Sequence, residues 1–174
     1  RFRINKKLGL NIDPAIRTAG FAVLEGDSRD ARALAYGTLS MPSSARQSAC
    51  LRAVHEHLCS LIERWQPDSL AIEAIIYVQS HRTAIAMGSA RGPGVLAAAL
   101  HDLPIVEYPP SCVKLATVGR GSAGKQQVAY MMRALLHLTE TPQPDAADAL
   151  AIGYTHLAAT DPLRAHLFRE RKLI

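Results

Sequence analysis

The sequence predicts an α/β domain in which a mixed five-stranded sheet is flanked by helices. Three apolar segments open the chain, two more follow, and helical patterns separate and succeed them. Of the 174 residues, 48% are hydrophobic and 20% are charged. Such a chain can form one domain with a sizeable core. We expect that domain to span residues 1–160, with a charged and mobile C-terminal tail over 161–174.

The first half of the chain opens with a predicted meander. Its strands cover Lys7 to Asp13, Gly20 to Glu25 and Leu34 to Ser40, separated by Asp13-Pro14 and a polar turn. From Ser44 to Trp65, apolar residues recur at three- and four-residue spacing, which predicts an amphipathic helix. The near-continuous apolar run from Leu70 to Ile76 predicts a central strand covered on both faces.

The second half alternates between helices and one more strand. An alanine-rich helix is predicted from Thr83 to Leu100, and a short strand from Pro104 to Glu107. Three further helices are predicted over Ser111 to Val118, Gln126 to Leu138, and about Asp145 to Ala159.

Charge and cysteine content narrow the class of protein. The net charge is +5 and the isoelectric point about 9.4, which favours a polyanionic partner, with nucleic acid ahead of membrane. The three cysteines form no CxxC pair, so we expect reduced thiols and a cytoplasmic protein. No apolar run of 18 residues is present to suggest a membrane span.

Four carboxylates stand at positions that suggest chemistry. Asp13 ends the first apolar run, Glu73 lies inside the fourth, and Asp145 and Asp148 open the last helix. An acid within an apolar strand is costly unless a cation or a hydrogen-bonding partner stabilises it. If these acids converge at one sheet edge, they form a hard oxygen site for two Mg²⁺ or Mn²⁺ ions and phosphodiester hydrolysis.

Each acid also has a structural interpretation. Asp145 could be an N-cap, with Asp148 as the acidic partner in a capping box. Asp13 could initiate a turn, and Glu73 could pair with a buried arginine.

The segments around these acids, together with others, resemble those of the RuvC Holliday-junction resolvases from about Leu8 to His156. The resemblance is carried by Asn11-Ile12-Asp13-Pro14 with Gly20, Ala71-Ile72-Glu73, Gly88-Ser89-Ala90-Arg91-Gly92, Val113-Lys114, the run from Val118 to Lys125, and the run from Pro144 to Ile152. It implies an RNase H-like fold and a homodimer that binds four-way DNA junctions and makes paired symmetric nicks. It further implies that RuvAB, the branch-migration complex, is a partner.

The resemblance also implies roles for individual residues. Asp13, Glu73, Asp145 and Asp148 would be the catalytic acids and ligands of two Mg²⁺ ions. Lys114 and Lys125 would lie at the DNA near the site.

Three features depart from the family pattern. Asn11 and Ala15 replace glycines beside the first acid, so the backbone there could differ slightly. Where the family tends to carry a phenylalanine that probes the junction centre, this chain has Ile76, so the aromatic role has either moved to Tyr77 or been lost; we expect Tyr77 to be the stronger probe. Arg120 interrupts the glycine loop and is interpreted as an extra phosphate contact.

Alternatives remain at the level of function. Gly119 to Lys125 matches the start of a nucleotide-binding P-loop, but Gln126 lacks the required hydroxyl. A junction-binding protein with impaired catalysis, or another RNase H-like nuclease, would share the fold. The presence of all four acids favours the enzyme.

Overall fold

The computed structural model describes residues 7–27, 29–76, 80–121 and 123–174. Over these residues the strands are β1 (Lys7–Asp13), β2 (Thr18–Gly26), β3 (Arg32–Ser40), β4 (Ser69–Glu73), β5 (Ile105–Tyr108) and β6 (Lys172–Leu173). The helices are α1 (Gln47–Trp65), α2 (His81–Leu100), α3 (Pro110–Val118), α4 (Lys125–Leu135) and α5 (Pro144–Ala159), followed by a 3₁₀ turn (Ala165–Phe168). No helix among these residues is long and apolar enough to cross a membrane.

The strands form one mixed sheet in the order β3-β2-β1-β4-β5-β6. β1, β2 and β3 pair antiparallel as a meander, whereas β4 runs parallel to β1 and β5 parallel to β4. The predicted α/β class and mixed sheet are therefore confirmed. The sheet has six strands rather than five, because Lys172–Leu173 pairs antiparallel with β5. Two residues are too few to give a readable strand pattern in the sequence.

Helices cover both faces of the sheet and create two apolar clusters. Leu8, Leu10 and Ile12 point from β1 into the cluster formed with α1 and α2. The opposite cluster contains residues of α3, α4 and α5 together with Phe168, which is fully buried. Residues 161–174 therefore pack against the domain through this side chain and through β6, although many of their polar residues are exposed.

One boundary differs from the prediction in a way that matters for chemistry. The fourth strand ends at Glu73 instead of continuing to Ile76, so this acid stands at the end of the strand. Ile76 lies beyond that strand and is 56% exposed. The sequence pattern overestimated the length of the strand because Ile75 and Ile76 are as hydrophobic as the strand residues, although they are exposed.

Candidate active site

Alternation along β1 and β4 places two of the predicted acids on one face of the sheet. Successive side chains of a strand point to opposite faces, and Ile12 and Ile72 point towards α1 and α2. Asp13 and Glu73 follow them and therefore face the α5 side. Because β1 and β4 are parallel with Ile12 paired to Ile72, both acids stand side by side at the strands' carboxyl ends.

A glycine allows the third acidic segment to approach them. Gly20 pairs with Asp13 across the antiparallel β1–β2 ladder. A Cβ atom at Gly20 would collide with the main-chain carbonyl of Asp145, in the first turn of α5. The missing side chain thus lets α5 begin directly against β2, next to Asp13.

These elements enclose an open cleft of about 410 Å³. Asp13, Glu73 and Asp148 all line it, so strands β1 and β4 and helix α5 each contribute a carboxylate. Lys114 from α3 and Lys125 from α4 line the same cleft, together with Pro110, Val113, Ala123, Gly124 and Val128. Asp145 is half-buried outside this lining, but it is close enough to raise the pKa of Asp13.

Burial and like charge dominate the electrostatics of the two strand acids. Burial, reinforced chiefly by Asp148, raises the pKa of Asp13 from 3.8 to about 6. Burial, reinforced by Asp13 and Asp148, raises the pKa of Glu73 from 4.5 to about 7. The cleft therefore holds more negative charge than its protein surroundings stabilise.

Lys125 supplies part of the missing positive charge. Its Nζ donates a hydrogen bond to Asp148 Oδ2 at 3.0 Å, and this contact raises the pKa of Lys125. The lysine side chain is 76% exposed, whereas that of Asp148 is 25% exposed. The ammonium group thus occupies the carboxylate edge of the cleft while remaining accessible from solvent.

The structural interpretations of the acids do not hold where the structure tests them. Helix α5 begins at Pro144 with Gln143 as its N-cap and without a side-chain capping bond, so Asp145 is not the cap. Asp148 contacts Lys125, and no capping box forms. A partly buried arginine, Arg91, does lie near Glu73, but its ion pair is with Glu107, and it contacts only the main chain of Glu73.

Only some of the predicted DNA-contacting residues lie in the cleft. Lys114 and Lys125 lie in the cleft, whereas Arg120 is exposed on the α3–α4 connection and does not line it. Exposed Ile76 is also outside the lining. Tyr77, the predicted aromatic probe, falls outside the described residues.

The glycine-rich connection has the wrong context for a nucleotide-binding P-loop. It joins α3 to α4, whereas a P-loop follows a strand. Gly119 ends α3 with φ at 79°, a backbone conformation that glycine adopts readily. The chain then enters α4, whose first residue is Lys125, so the connection delivers this lysine to the cleft.

The donor set of the cleft fits hard divalent cations. It consists of carboxylate oxygens, the ligands that Mg²⁺ and Mn²⁺ prefer, and the carboxylates of Asp13 and Glu73 are partly buried and crowded by like charge. Within the described ranges, no three acidic, histidine or cysteine side chains already stand at metal-ligand spacing. Metal binding would thus have to draw the carboxylates closer together and compete with Lys125 for Asp148.

Asn11, which departs from the family pattern, is accommodated in the core. Its side chain is fully buried and donates hydrogen bonds to the carbonyls of Gly9 and Ala22 at 3.1 and 3.2 Å. A Cβ atom at Gly153 would lie 2.5 Å from Asn11 Nδ2, so the glycine in α5 leaves room for the amide. Asn11 Oδ1 is buried without a hydrogen-bond partner.

Sequence patterns gave no role to Arg91, which spans three elements near the site. Its guanidinium donates to the carbonyl of Glu73 at 3.1 Å and forms a partly buried ion pair with Glu107. The available signals were its place in Gly88-Ser89-Ala90-Arg91-Gly92 and its being a lone charge among the residues between Thr83 and Leu100.

Comparison with known proteins gives a consistent result. The family model of the crossover junction endodeoxyribonuclease RuvC matches residues 9–156. A protein of that name from Akkermansia muciniphila is 62% identical over 165 residues, covering 95% of this chain and 98% of the relative. Another from Saccharophagus degradans is 41% identical, covering 85% and 86% of the two chains.

Solved structures agree with the sequence relatives. Thermus thermophilus RuvC in complex with a Holliday junction substrate superposes with a TM-score of 0.84 at 28% identity, covering 97% of this chain and 99% of that one. The yeast mitochondrial Holliday junction resolvase, at 11% identity and a TM-score of 0.63, shares the fold over 92% of this chain and 80% of its own. The chain therefore belongs to the RuvC family of crossover junction endodeoxyribonucleases.

Proposed function

We propose that this chain is a structure-selective endonuclease that resolves four-way DNA junctions by paired symmetric nicks. The observation that carries the proposal is the convergence of Asp13, Glu73 and Asp148 in one cleft that also contains Lys114 and Lys125. Such a cleft combines a cation site with positive charge for a DNA phosphate. Membership of the RuvC family supports the junction as substrate.

We assign Asp13, Glu73, Asp145 and Asp148 as the ligands of two Mg²⁺ ions, with Mn²⁺ as a substitute. Bound divalent ions would stabilise the attacking and leaving oxygens of phosphodiester hydrolysis. The protein contributes by holding Asp13 and Glu73 on adjacent strand ends and by seating α5 against Gly20. The raised pKa values of Asp13 and Glu73 indicate that the protein stabilises their ionised forms poorly, so bound cations would stabilise them.

Lys114, Arg120 and Lys125 are assigned to the DNA backbone. Lys114 and Lys125 share the cleft with the acids, which is where the scissile phosphate would have to lie. Arg120 is exposed on the connection before α4 and suits a more distant phosphate. Exposed Ile76, with Tyr77 beside it in sequence, is assigned to the centre of the junction.

Paired nicks need two sites, and α2 offers a surface for a homodimer. Ile85, Leu96 and Leu100 are 70%, 52% and 64% exposed and recur at helical spacing on one face. Gly92 lies between them on that face, with open space where its Cβ would be. An exposed apolar stripe with a small residue at its middle suits close packing against a second copy. RuvAB is retained as a further proposed partner on the grounds of family membership.

The proposal is tested by substrate choice and metal dependence. Purified protein is incubated with a labelled four-way junction, a linear duplex of the same sequence and an RNA–DNA hybrid, each with Mg²⁺ and with EDTA. We expect nicks at symmetric positions on the junction, only with Mg²⁺. Preferential cleavage of the hybrid would indicate another RNase H-like nuclease, and tight junction binding without cleavage would indicate the impaired binding protein.

A further inference from the structure

Arg91 connects helix α2 to the ends of two neighbouring strands. Its Nη1 donates to the main-chain carbonyl of Glu73 in β4, and its Nη2 forms an ion pair with Glu107 in β5. The side chains of Arg91 and Glu107 are only 13% and 16% exposed. One planar guanidinium therefore binds two acceptors on adjacent strands, away from competing water.

The two acceptors fix the strand end that carries the acid. Glu73 is the last residue of β4, and the next amide, that of Ala74, donates to the carbonyl of Tyr108 at 2.9 Å. Exposed Ile75 and Ile76 follow. The Ala74 amide therefore ties this strand end to β5, and Arg91 adds a second lateral anchor at the carbonyl of Glu73, immediately before the exposed segment.

Helix α2 is itself closely seated on the neighbouring strand. A Cβ atom at Gly94 would collide with the Cδ1 atom of Ile12, the residue before Asp13. The same helix thus contacts β1 immediately before one acid and β4 at the other. The relative position of the two carboxylates depends on the seating of α2.

We infer that Arg91 is a positioning residue that holds the Glu73 main chain so that its carboxylate meets the metal site with Asp13. The inference rests on the function proposed above, because Glu73 is a metal ligand only under that proposal. Arg91 acts through Glu73 and does not line the cleft. Lysine could keep the charge but could not hold both acceptors in the geometry of a planar fork.

The test uses variants that separate the positioning of the Glu73 main chain from the positive charge of Arg91. Removing one charge alone would leave the other partly buried and unpaired, so the first variant is the double change Arg91→Met with Glu107→Gln. The second is Arg91→Lys, which retains a cation beside Glu107. The matched control is Arg52→Met with Glu56→Gln, which removes an exposed ion pair within α1.

Two measurements are made on each protein. Mn²⁺ affinity is measured by electron paramagnetic resonance on the protein without DNA, and the Mg²⁺ concentration for half-maximal junction cleavage is measured separately. We expect both test variants to need at least about tenfold more metal, as for other groups that orient metal ligands. Junction affinity in EDTA should stay within about twofold, and the control should match wild type.

The outcomes distinguish the two proposals. If both test variants melt earlier but keep wild-type metal dependence, Arg91 is only structural and the inference is overturned. Glu73→Gln is the reference for the site itself. If Glu73→Gln weakens Mn²⁺ binding while the Arg91 variants do not, the proposed function stands and the inference fails. If Glu73→Gln leaves Mn²⁺ binding unchanged, the assignment of Glu73 as a metal ligand is overturned and the inference falls with it, whereas junction cleavage by the wild-type protein would still stand. Addition of the Arg91 double change to Glu73→Gln should cause no further loss of metal affinity.

Discussion

Glu73→Gln should stabilise the metal-free protein while weakening its response to metal. The folded chain binds the Glu73 proton more tightly than the unfolded chain, because the pKa is raised from 4.5 to about 7. The sign follows from linkage: the carboxyl group favours folding below about pH 4.5, and this contribution is lost as the pH rises through about 7. The difference in pKa corresponds to about 3 kcal/mol at pH 8, or roughly 6 to 12 °C in melting temperature.

Thermal unfolding of both proteins in EDTA between pH 4.5 and pH 8 measures this effect. The melting temperature of the variant should exceed that of wild type increasingly as the pH rises. Addition of Mg²⁺ at pH 8 should raise the melting temperature of wild type by more than that of the variant. Exposed Glu140→Gln is the control and should show neither effect. A pH-independent difference, or a variant less stable than wild type at pH 8, would refute the electrostatic argument.

Further changes test the packing around the site. Gly20→Ala should displace the first turn of α5 from Asp13, so cleavage and Mn²⁺ affinity should fall together. Circular dichroism should still show a folded protein. Full activity would show that this contact is dispensable. Gly153→Ala should destabilise the protein by about 1 to 3 kcal/mol in urea unfolding, because its methyl group meets the Asn11 amide. Adding Asn11→Gly should recover much of that loss, and additive effects would contradict direct contact.

Strand pattern and helix period made the order of elements predictable, and the four acids were recognisable from their apolar context. Alternation along the strands also explains why Asp13 and Glu73 share a face. The end of β4 was harder to predict, because Ile75 and Ile76 have the composition of a buried strand but are 40% and 56% exposed. Composition alone does not reveal which apolar residues remain in water.

Local sequence patterns could not predict contacts between segments that are distant in the sequence. The close packing of Gly20 against α5 cannot be inferred from the sequence around it. The replacement of a family glycine by Asn11 is explained only by Gly153, which lies beside it in the structure. Arg91 likewise gains a role only when β4 and β5 are side by side. In each case the missing information was the tertiary partner, which periodicity and propensity do not specify.

The central claim, that these carboxylates bind metal for junction cleavage, is tested most directly with Asp148→Asn. The change preserves the volume of the side chain but removes a negative charge from the cleft and weakens the contact with Lys125. Cleavage of a labelled four-way junction in Mg²⁺ and binding of the same junction in EDTA are measured side by side. The account predicts that cleavage falls to background while binding persists or improves. Cleavage near the wild-type rate, with at most a small loss of stability, would contradict it.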